Sequence, residues 1–428
     1  MHHPVSSASG LNNGMNRETR PMERCTMQLG KQKVNEVRNN KIDDVETEFI
    51  MGQVQLLEPS TNRQVLVLAW TRFFEYDMAE LLKMKGLTNC KYMCTITTDR
   101  RKFSAADAVV FHVRDMNLTD LPQSRSDNQT FVFFIQESPY HTGYVLDQIP
   151  SNYFNITMTY RLDSDVRAGY GWMSPIDNTT SRDEVWRWNE VEDIVEGKSK
   201  SVLQMVSNCA TESKRELYVS ALAQHIEVTE YGRCGHGSCD KQCEQQAIAQ
   251  HYFYLAFENS VCRDYVTEKL FRRMEMIIVP VVLKRSIASS FLPNGSFIAA
   301  DDFDSPRNLA DYLKYLQNNK REYLRQNLAR LRPISLAHKF SKQNRLYFSY
   351  LFFEISLSLS RYFEWTKAYK KKLDDDYGCS LCEFLHTNLT KPRVISEIKD
   401  WWFSGGACVN DYALTLISVL EIMGKFLG

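Results

Sequence analysis

The sequence predicts an α/β protein made of two successive units, each a series of short buried strands alternating with helices. Two observations carry this expectation. Runs of branched and aromatic residues too short for helices recur between polar turns, at 64–70, 107–113, 131–138 and 153–161, and again beyond residue 200. A charged stretch at 181–200 separates the two series and marks the boundary between units. Two α/β units joined in this way leave a cleft between them, where ligands commonly bind in such architectures.

In the first unit, QVLVLAW (64–70) reads as a buried strand, followed by a loop and a helix in FFEYDMAELLKM (73–84). DAVVFHV (107–113), FVFFIQES (131–138) and YFNITMTYR (153–161) add three parallel strands. In the second unit SVLQMVSNC (201–209) is a strand, ESKRELYVSALAQHI (212–226) a helix, HYFYLAFEN (251–259) a strand, YVTEKLFRRMEM (265–276) a helix and IIVPVVL (277–283) a strand. Ser305 ahead of Pro306 is a helix start, serine as N-cap and proline in the first turn, opening an amphipathic run to about Leu331. No internal repeat stands out. The expected domains are a disordered, stem-like segment over 1–60, a first α/β domain over 61–190, a second over 200–360, and a tail over 361–428 that packs back on the body. Cys379 and Cys382 are positioned to clip that tail to the first unit.

Composition narrows the function. With 43% hydrophobic and 24% charged residues the chain is globular, which excludes a disordered or fibrous class. Lys plus Arg equals Asp plus Glu at 52 each, so no global field selects nucleic acid or an anionic membrane, and an anionic ligand must be met by local cations. The eleven cysteines allow zinc ligation, through Cys379 with Cys382 or Cys239 with Cys243, or disulfides in an oxidising compartment, with Cys25 left over. Six N-x-S/T sequons, at Asn117, Asn128, Asn155, Asn178, Asn294 and Asn388, favour the secretory lumen. Targeting runs against this: residues 1–48 carry neither a signal region nor an apolar anchor, and the apolar run Tyr412–Gly424 is short and interrupted by Glu421. The expectation is a truncated or alternative product of a membrane-anchored protein, or else failure of the lumenal inference.

The strongest chemical constellation is 252–284, YFYLAFENSVCRDYVTEKLFRRMEMIIVPVVLK, a strand entering a loop and then a helix. In such a unit the loop and helix start lie at the carboxyl edge of the sheet, where backbone N–H groups favour a phosphate. Lys269 supplies a point charge for a diphosphate, Glu268 can accept from ribose hydroxyls, and Tyr254 or Tyr265 can stack on or bond to base and sugar. On composition alone, Glu268, Lys269, Arg272 and Arg273 read sooner as an ordinary solvated helix face.

The segment YLAFENS-x-x-x-DYVTEKL, together with VPVVL, resembles the donor-site signature of the family-ten α1,3/1,4-fucosyltransferases. CTITTDRRKFSAADAVVFHVRD (94–115), FIQESPYHT (134–142), NITMTYRLDSDVRAGYGW (155–172), VSNCATESKRELYVSAL (206–222) and YGRCGHGSC (231–239) follow the same family in the same order, so the likeness covers about 90–360. The resemblance implies a GT-B fold, two Rossmann-like domains facing a central cleft, with the donor held by the second. It implies that Ser207 and Asn208 touch the nucleotide and Arg215 the diphosphate. Tyr254 would flank guanine, and Asn259, Tyr265, Glu268 and Lys269 would bind fucose, ribose and phosphates. Glu137 corresponds to the family's general base. The implied partners are GDP-fucose and a glycan acceptor on a glycoprotein or oligosaccharide, with no nucleic acid; the implied location is the Golgi lumen, with membrane association.

The chemistry makes those roles reasonable. GDP-fucose is β-linked and the product α-linked, so one displacement with inversion through an oxocarbenium-like state is expected. A carboxylate must take the acceptor proton. GDP is a good leaving group, and Arg215 and Lys269 offset the charge developing on it. No metal is essential, with Mn²⁺ or Mg²⁺ at most a stimulant. Two D-x-D pairs, Asp163 with Asp165 and Asp374 with Asp376, carry the competing metal-dependent GT-A reading. His112 and His141 are expected to be structural or hydrogen-bonding. Relative to the family, RRMEMII precedes VPVVL and Lys284-Arg285 follows it where small residues are common. The remaining alternative is an idle homologue that binds glycan or nucleotide. Acceptor choice is expected to rest on 72–92 and 116–130.

Overall fold

The computed structural model describes residues 64–87, 90–235, 237–293, 295–324, 366, 369–372, 376–388 and 393–417. All lie in one compact unit, Glu58–Gly428. The 1–60 segment, Cys25, Asn294, Asp374, the run from 325 towards Leu331 and the apolar residues beyond Ile417 fall outside the described residues.

The first half is a six-stranded parallel sheet of β1 (Val65–Ala69), β2 (Cys94–Thr97), β3 (Ala108–His112), β4 (Thr130–Ile135), β5 (Ile156–Thr159) and β6 (Val166–Arg167), in the order β2-β1-β3-β4-β5-β6. Its central strands are apolar on both faces because both are covered. Val110, Val132 and Phe134 face α1 (Met78–Met84), while Val109, Phe111, Phe133 and Ile135 face the opposite core with Trp402. The second half is the parallel sheet β12-β11-β10-β8-β9, from β8 (Lys200–Met205), β9 (Val228–Tyr231), β10 (His251–Leu255), β11 (Val279–Val282) and β12 (Ile298–Ala299). In each sheet the strand order reverses once, between β1 and β3 and between β8 and β10. The carboxyl ends at those reversals are where open α/β sheets bind ligands.

Several elements differ from the sequence reading. The first helix begins at Met78, because the Asp77 carboxylate accepts the Glu80 N–H at 3.0 Å and fixes the N-cap there. The expected helix over 265–276 shrinks to α5 (Glu268–Phe271) and a 3₁₀ turn at Arg273–Glu275, since β11 follows within four residues. The helix over 212–226 is the shorter α3 (Arg215–Leu222). The Ser305 start is present, with Ser305 Oγ accepting the Asn308 N–H at 3.2 Å, but α7 (Pro306–Asn318) stops at Asn319 before α8 (Lys320–Tyr323). Unanticipated are β2, β7 (Trp172–Pro175), β9, β12, α4 (Lys241–Gln250), α6 (Arg285–Ala288) and, inside the charged stretch, α2 (Trp188–Glu196), whose Val191 and Val195 join the second half's core.

Cysteine chemistry is resolved in favour of disulfides. Cys90–Cys379 and Cys94–Cys382 tie the first half to α9 (Tyr377–Asn388), whose Tyr377, Leu381, Cys382 and Leu385 complete one core of the first sheet. Cys209–Cys234, Cys239–Cys243 and Cys262–Cys408 lie in or reach the second half. The zinc alternative falls, because the four sulfurs it needed are consumed. Residues 393–417 then run from the first half's core, at Ile398 and Trp402, to the second's, at Ala413 and Ile417. Among the described residues no helix is long and apolar enough to cross a membrane.

Candidate active site

At the β8/β10 reversal the turn after β8 carries Ser207 and Asn208, both exposed. Cys209–Cys234 pins this turn to the 231–237 loop, and Gly232 admits the close approach: at φ +96°, a Cβ there would lie 2.1 Å from the Val206 carbonyl oxygen. Arg215 opens α3 but points back into the crevice. Its Nη1 donates to the Phe257 carbonyl at 2.6 Å and its Nη2 to the Asn208 carbonyl at 3.1 Å, so one guanidinium joins the ends of both central strands. It is 2% exposed, and burial pushes its pKa down, although a guanidinium stays charged at any physiological pH.

Facing it, the α5 N-terminus organises the second cation. Thr267 caps the helix and also donates its hydroxyl to Glu258 at 2.8 Å, while its N–H reaches the same carboxylate at 2.7 Å. Lys269 Nζ sits 3.2 Å from both Glu258 and Glu268. Burial opposes the lysine's charge, but the two carboxylates outweigh it and hold its pKa up. The Glu258 pKa is raised as well, in its case by burial, with Lys269 opposing. Arg215 and Lys269 against Glu258 and Glu268 make a cluster with two charges of each sign. A bound diphosphate would therefore compete with the half-exposed Glu268 for Lys269, leaving that carboxylate free to turn to a sugar hydroxyl. Asn259 adds a buried Oδ1 with no hydrogen-bond partner among the described residues, an unmet acceptor beside this crevice.

Glu137 lies in the turn after β4, half-buried at the carboxyl edge of the first sheet. The Tyr265 hydroxyl, from the loop before α5, reaches its Oε2 at 3.3 Å. Tyr265 is buried against Tyr160, ring centroids 5.0 Å apart. Burial above all, then Tyr170 and Glu137, raises its phenol well above the usual range, so it remains a neutral donor to the carboxylate. One carboxylate and two cations thus converge from opposite halves, which is what proton removal from a nucleophile beside a departing phosphate requires.

The structure brings Glu137, Asn208, Arg215, Asn259, Tyr265, Glu268 and Lys269 to this cleft region. It does not bring Tyr254 there: that ring is 1% exposed in the second half's core, with the Arg273 guanidinium 4.3 Å from its centroid. Arg273 is held in turn by Glu244 at 2.5 Å. Glu244 comes from a stretch with no place in the sequence argument, and Arg273 figured there only as one charge of a helix face, so nothing flagged either as Tyr254's neighbour. Glu258 and Thr267 were missed although they stand inside FENS and VTEKL; the signal was an acid placed to neutralise a lysine across a helix start.

Both acids of the first D-x-D pair are committed to protein partners. Asp163 accepts from Arg161 Nε and Nη2 at 2.9 and 2.6 Å and faces Arg263 at 3.3 Å. Asp165 accepts from the Thr157 N–H at 2.8 Å and pairs with Arg393. Among the described residues no three His, Cys, Asp or Glu side chains are grouped to hold a metal. Asp374 lies outside the described residues. His112 is buried, its Nδ1 2.7 Å from Asp115.

Comparison with known proteins matches both halves separately. Residues 62–171 match the family model described as fucosyltransferase, N-terminal, and residues 195–330 the one described as glycosyltransferase family 10 (fucosyltransferase) C-term. The chain is 32% identical over 386 residues to α-(1,3)-fucosyltransferase C of Drosophila melanogaster, covering 83% of this chain and 81% of that protein. It is 36% identical over 294 residues to α-(1,3)-fucosyltransferase fut-1 of Caenorhabditis elegans, covering 66% of this chain and 63% of that protein's length. A crystal structure of an α1,3-fucosyltransferase with GDP-fucose aligns with a TM-score of 0.42 at 19% identity, covering 61% of this chain and 80% of that one.

Proposed function

Because the chain belongs to glycosyltransferase family 10, the fucosyltransferases, we propose that it transfers L-fucose from GDP-β-L-fucose to the 3-hydroxyl of a GlcNAc residue in a glycoprotein glycan, with inversion. The observation that carries the reading is the convergence of Glu137, from the first half, on the second half's Tyr265 beside Arg215 and Lys269. In one displacement Glu137 takes the proton of the acceptor hydroxyl, the oxygen bonds to fucose C1, and the bond from C1 to the β-phosphate oxygen breaks. Tyr265 holds the Glu137 carboxylate in place. Arg215 is fixed by two backbone carbonyls and so pays no reorganisation when negative charge grows on the leaving GDP. Lys269 exchanges Glu268 for the phosphate, and Asn259 Oδ1 can take a sugar hydroxyl. Ser207 and Asn208 are exposed at the nucleotide end of the same crevice.

The cations take the role a divalent ion plays elsewhere, so activity should survive EDTA, with Mn²⁺ or Mg²⁺ stimulating at most. The disulfides support an oxidising compartment, and the proposed location is the Golgi lumen with membrane association. The acceptor is a core N-glycan GlcNAc or the GlcNAc of a LacNAc or LacdiNAc arm. The test is transfer from GDP-fucose to those three acceptors by secreted protein, wild type beside Glu137→Gln. Product on at least one acceptor, reduced about 10²–10⁴-fold in the variant, is expected. GDP binding without transfer to any acceptor would leave the idle homologue standing.

A further inference from the structure

The turn that carries Glu137 is joined to the second half by a second polar connection, one that none of the roles above uses. Ser138 Oγ lies 2.8 Å from Ser260 Oγ and 3.0 Å from His141 Nδ1. His141 Nε2 faces Glu212 Oε2 at 3.4 Å. Ser138 and His141 stand one and four residues after Glu137. Ser260 follows Asn259, and Glu212 precedes α3 by three residues, so the chain of contacts starts beside the proposed base and ends beside the proposed donor groups. Both serines are buried, at 0% and 1% exposure.

A serine, an imidazole and a glutamate in sequence invite comparison with a nucleophilic triad, and the geometry rules that out. Ser138 has no exposed surface for a substrate to reach. The polarity of the chain instead suits a static link. With the neutral imidazole protonated at Nε2, Ser260 donates to Ser138, Ser138 donates to Nδ1, and Nε2 faces the Glu212 carboxylate across 3.4 Å. Each hydroxyl then donates once along the chain, and the buried Glu212 Oε2, which accepts no hydrogen bond among the described residues, stands at ion-pair distance at its end.

We infer that Ser138, His141, Ser260 and Glu212 form a clasp between the halves, in which His141 is a positioning residue: it sets where Glu137 stands relative to fucose C1 without touching substrate. This rests on the fucosyl-transfer reading for its kinetic consequence, but the clasp itself is a statement about the turn. Displacing a reacting group by about 1 Å can cost about 10²-fold in rate. A loosened turn therefore lowers kcat while leaving donor binding, made by the second half, intact.

The test compares wild type with His141→Ala, His141→Asn and Glu212→Gln. In His141→Ala, kcat for transfer is expected to fall about 10–100-fold, while KM for GDP-fucose and Kd for GDP stay within about twofold. Asparagine puts an amide oxygen near the position of Nδ1, keeps the Ser138 bond and recovers part of the loss. Glu212→Gln, at a half-exposed site that leaves the fold intact, lowers kcat several-fold. Amide hydrogen exchange is measured in parallel at His141 and Thr142, whose N–H groups bond to the Ser138 and Pro139 carbonyls; it should rise about tenfold in His141→Ala. Unchanged exchange overturns the clasp, whether or not the wild type transfers fucose. Raised exchange with kcat unchanged, or with GDP binding lost in proportion to kcat, overturns the positioning role. Absence of transfer by the wild type itself counts against the activity reading alone.

Discussion

At the scale of single residues, burial decides which charges the fold tolerates. His112 has no exposed surface; desolvation pushes its pKa below the usual value, with Asp115 opposing. The folded state therefore prefers the neutral ring. Its contribution is complete above the unfolded value of about 6.5 and is lost as pH falls through the lowered folded one. His251, also pushed down mainly by burial, adds to the same trend. The melting temperature should drop between pH 7.5 and 5. In His112→Phe, which keeps ring contacts to Phe73 and Phe134, the drop should be shallower; an identical slope in scanning calorimetry would remove His112 from the account. Residue identity made Glu137, Arg215 and Lys269 legible in the sequence, because cleft chemistry needs those charges and the family blocks locate them. For Tyr254 the sequence fixes a strand but not a face, and β10 turns its ring to the core.

At the scale of elements, legibility followed burial. β1, β3, β4, β10 and β11 are covered on both faces, so their sequences are nearly continuous apolar runs, and β8 keeps Val202 and Leu203 at its centre. β2 and β9 are four-residue edge strands with little to bury, and α4, KQCEQQAIAQ, is polar over most of its length, so neither period nor hydrophobicity exposed them. α5 was overread because charged residues that look helical are used to pair across the crevice. Its N-cap is the element's weak point. Thr267→Ala removes the cap and strips the buried Glu258 of a hydroxyl donor, which should cost roughly 1–3 kcal/mol by chemical denaturation and weaken GDP binding together. Loss of stability with GDP affinity unchanged would separate the cap from the phosphate site.

At the scale of the molecule, the strap over 393–417 joins the cores. Trp402 is buried in the first and donates its indole N–H to Thr142 at 2.7 Å; Val409 N–H reaches the Val261 carbonyl at 2.8 Å, and Ala413 N–H the Ser213 carbonyl at 2.9 Å, in the second. The halves should therefore melt as one unit, with equal calorimetric and van't Hoff enthalpies. Trp402→Ala should cost about 3–5 kcal/mol and split that transition in two. A wild type that already melts in two steps would show the strap to be a passive tether. That the tail packs back on the body was legible in the sequence, but not which core it enters, since the place of a tryptophan is fixed by residues some 250 positions away. The same separation governs how the chain comes into being. Cys90 and Cys94 wait for partners 289 and 288 residues downstream. At about 5–20 residues per second, the first-made half stays open for roughly 15–60 s of translation, its thiols reactive and one face of its sheet bare. Cys262 likewise waits for Cys408, and the second core for Ala413 and Ile417, so neither half can be completed until the last-made strap has emerged.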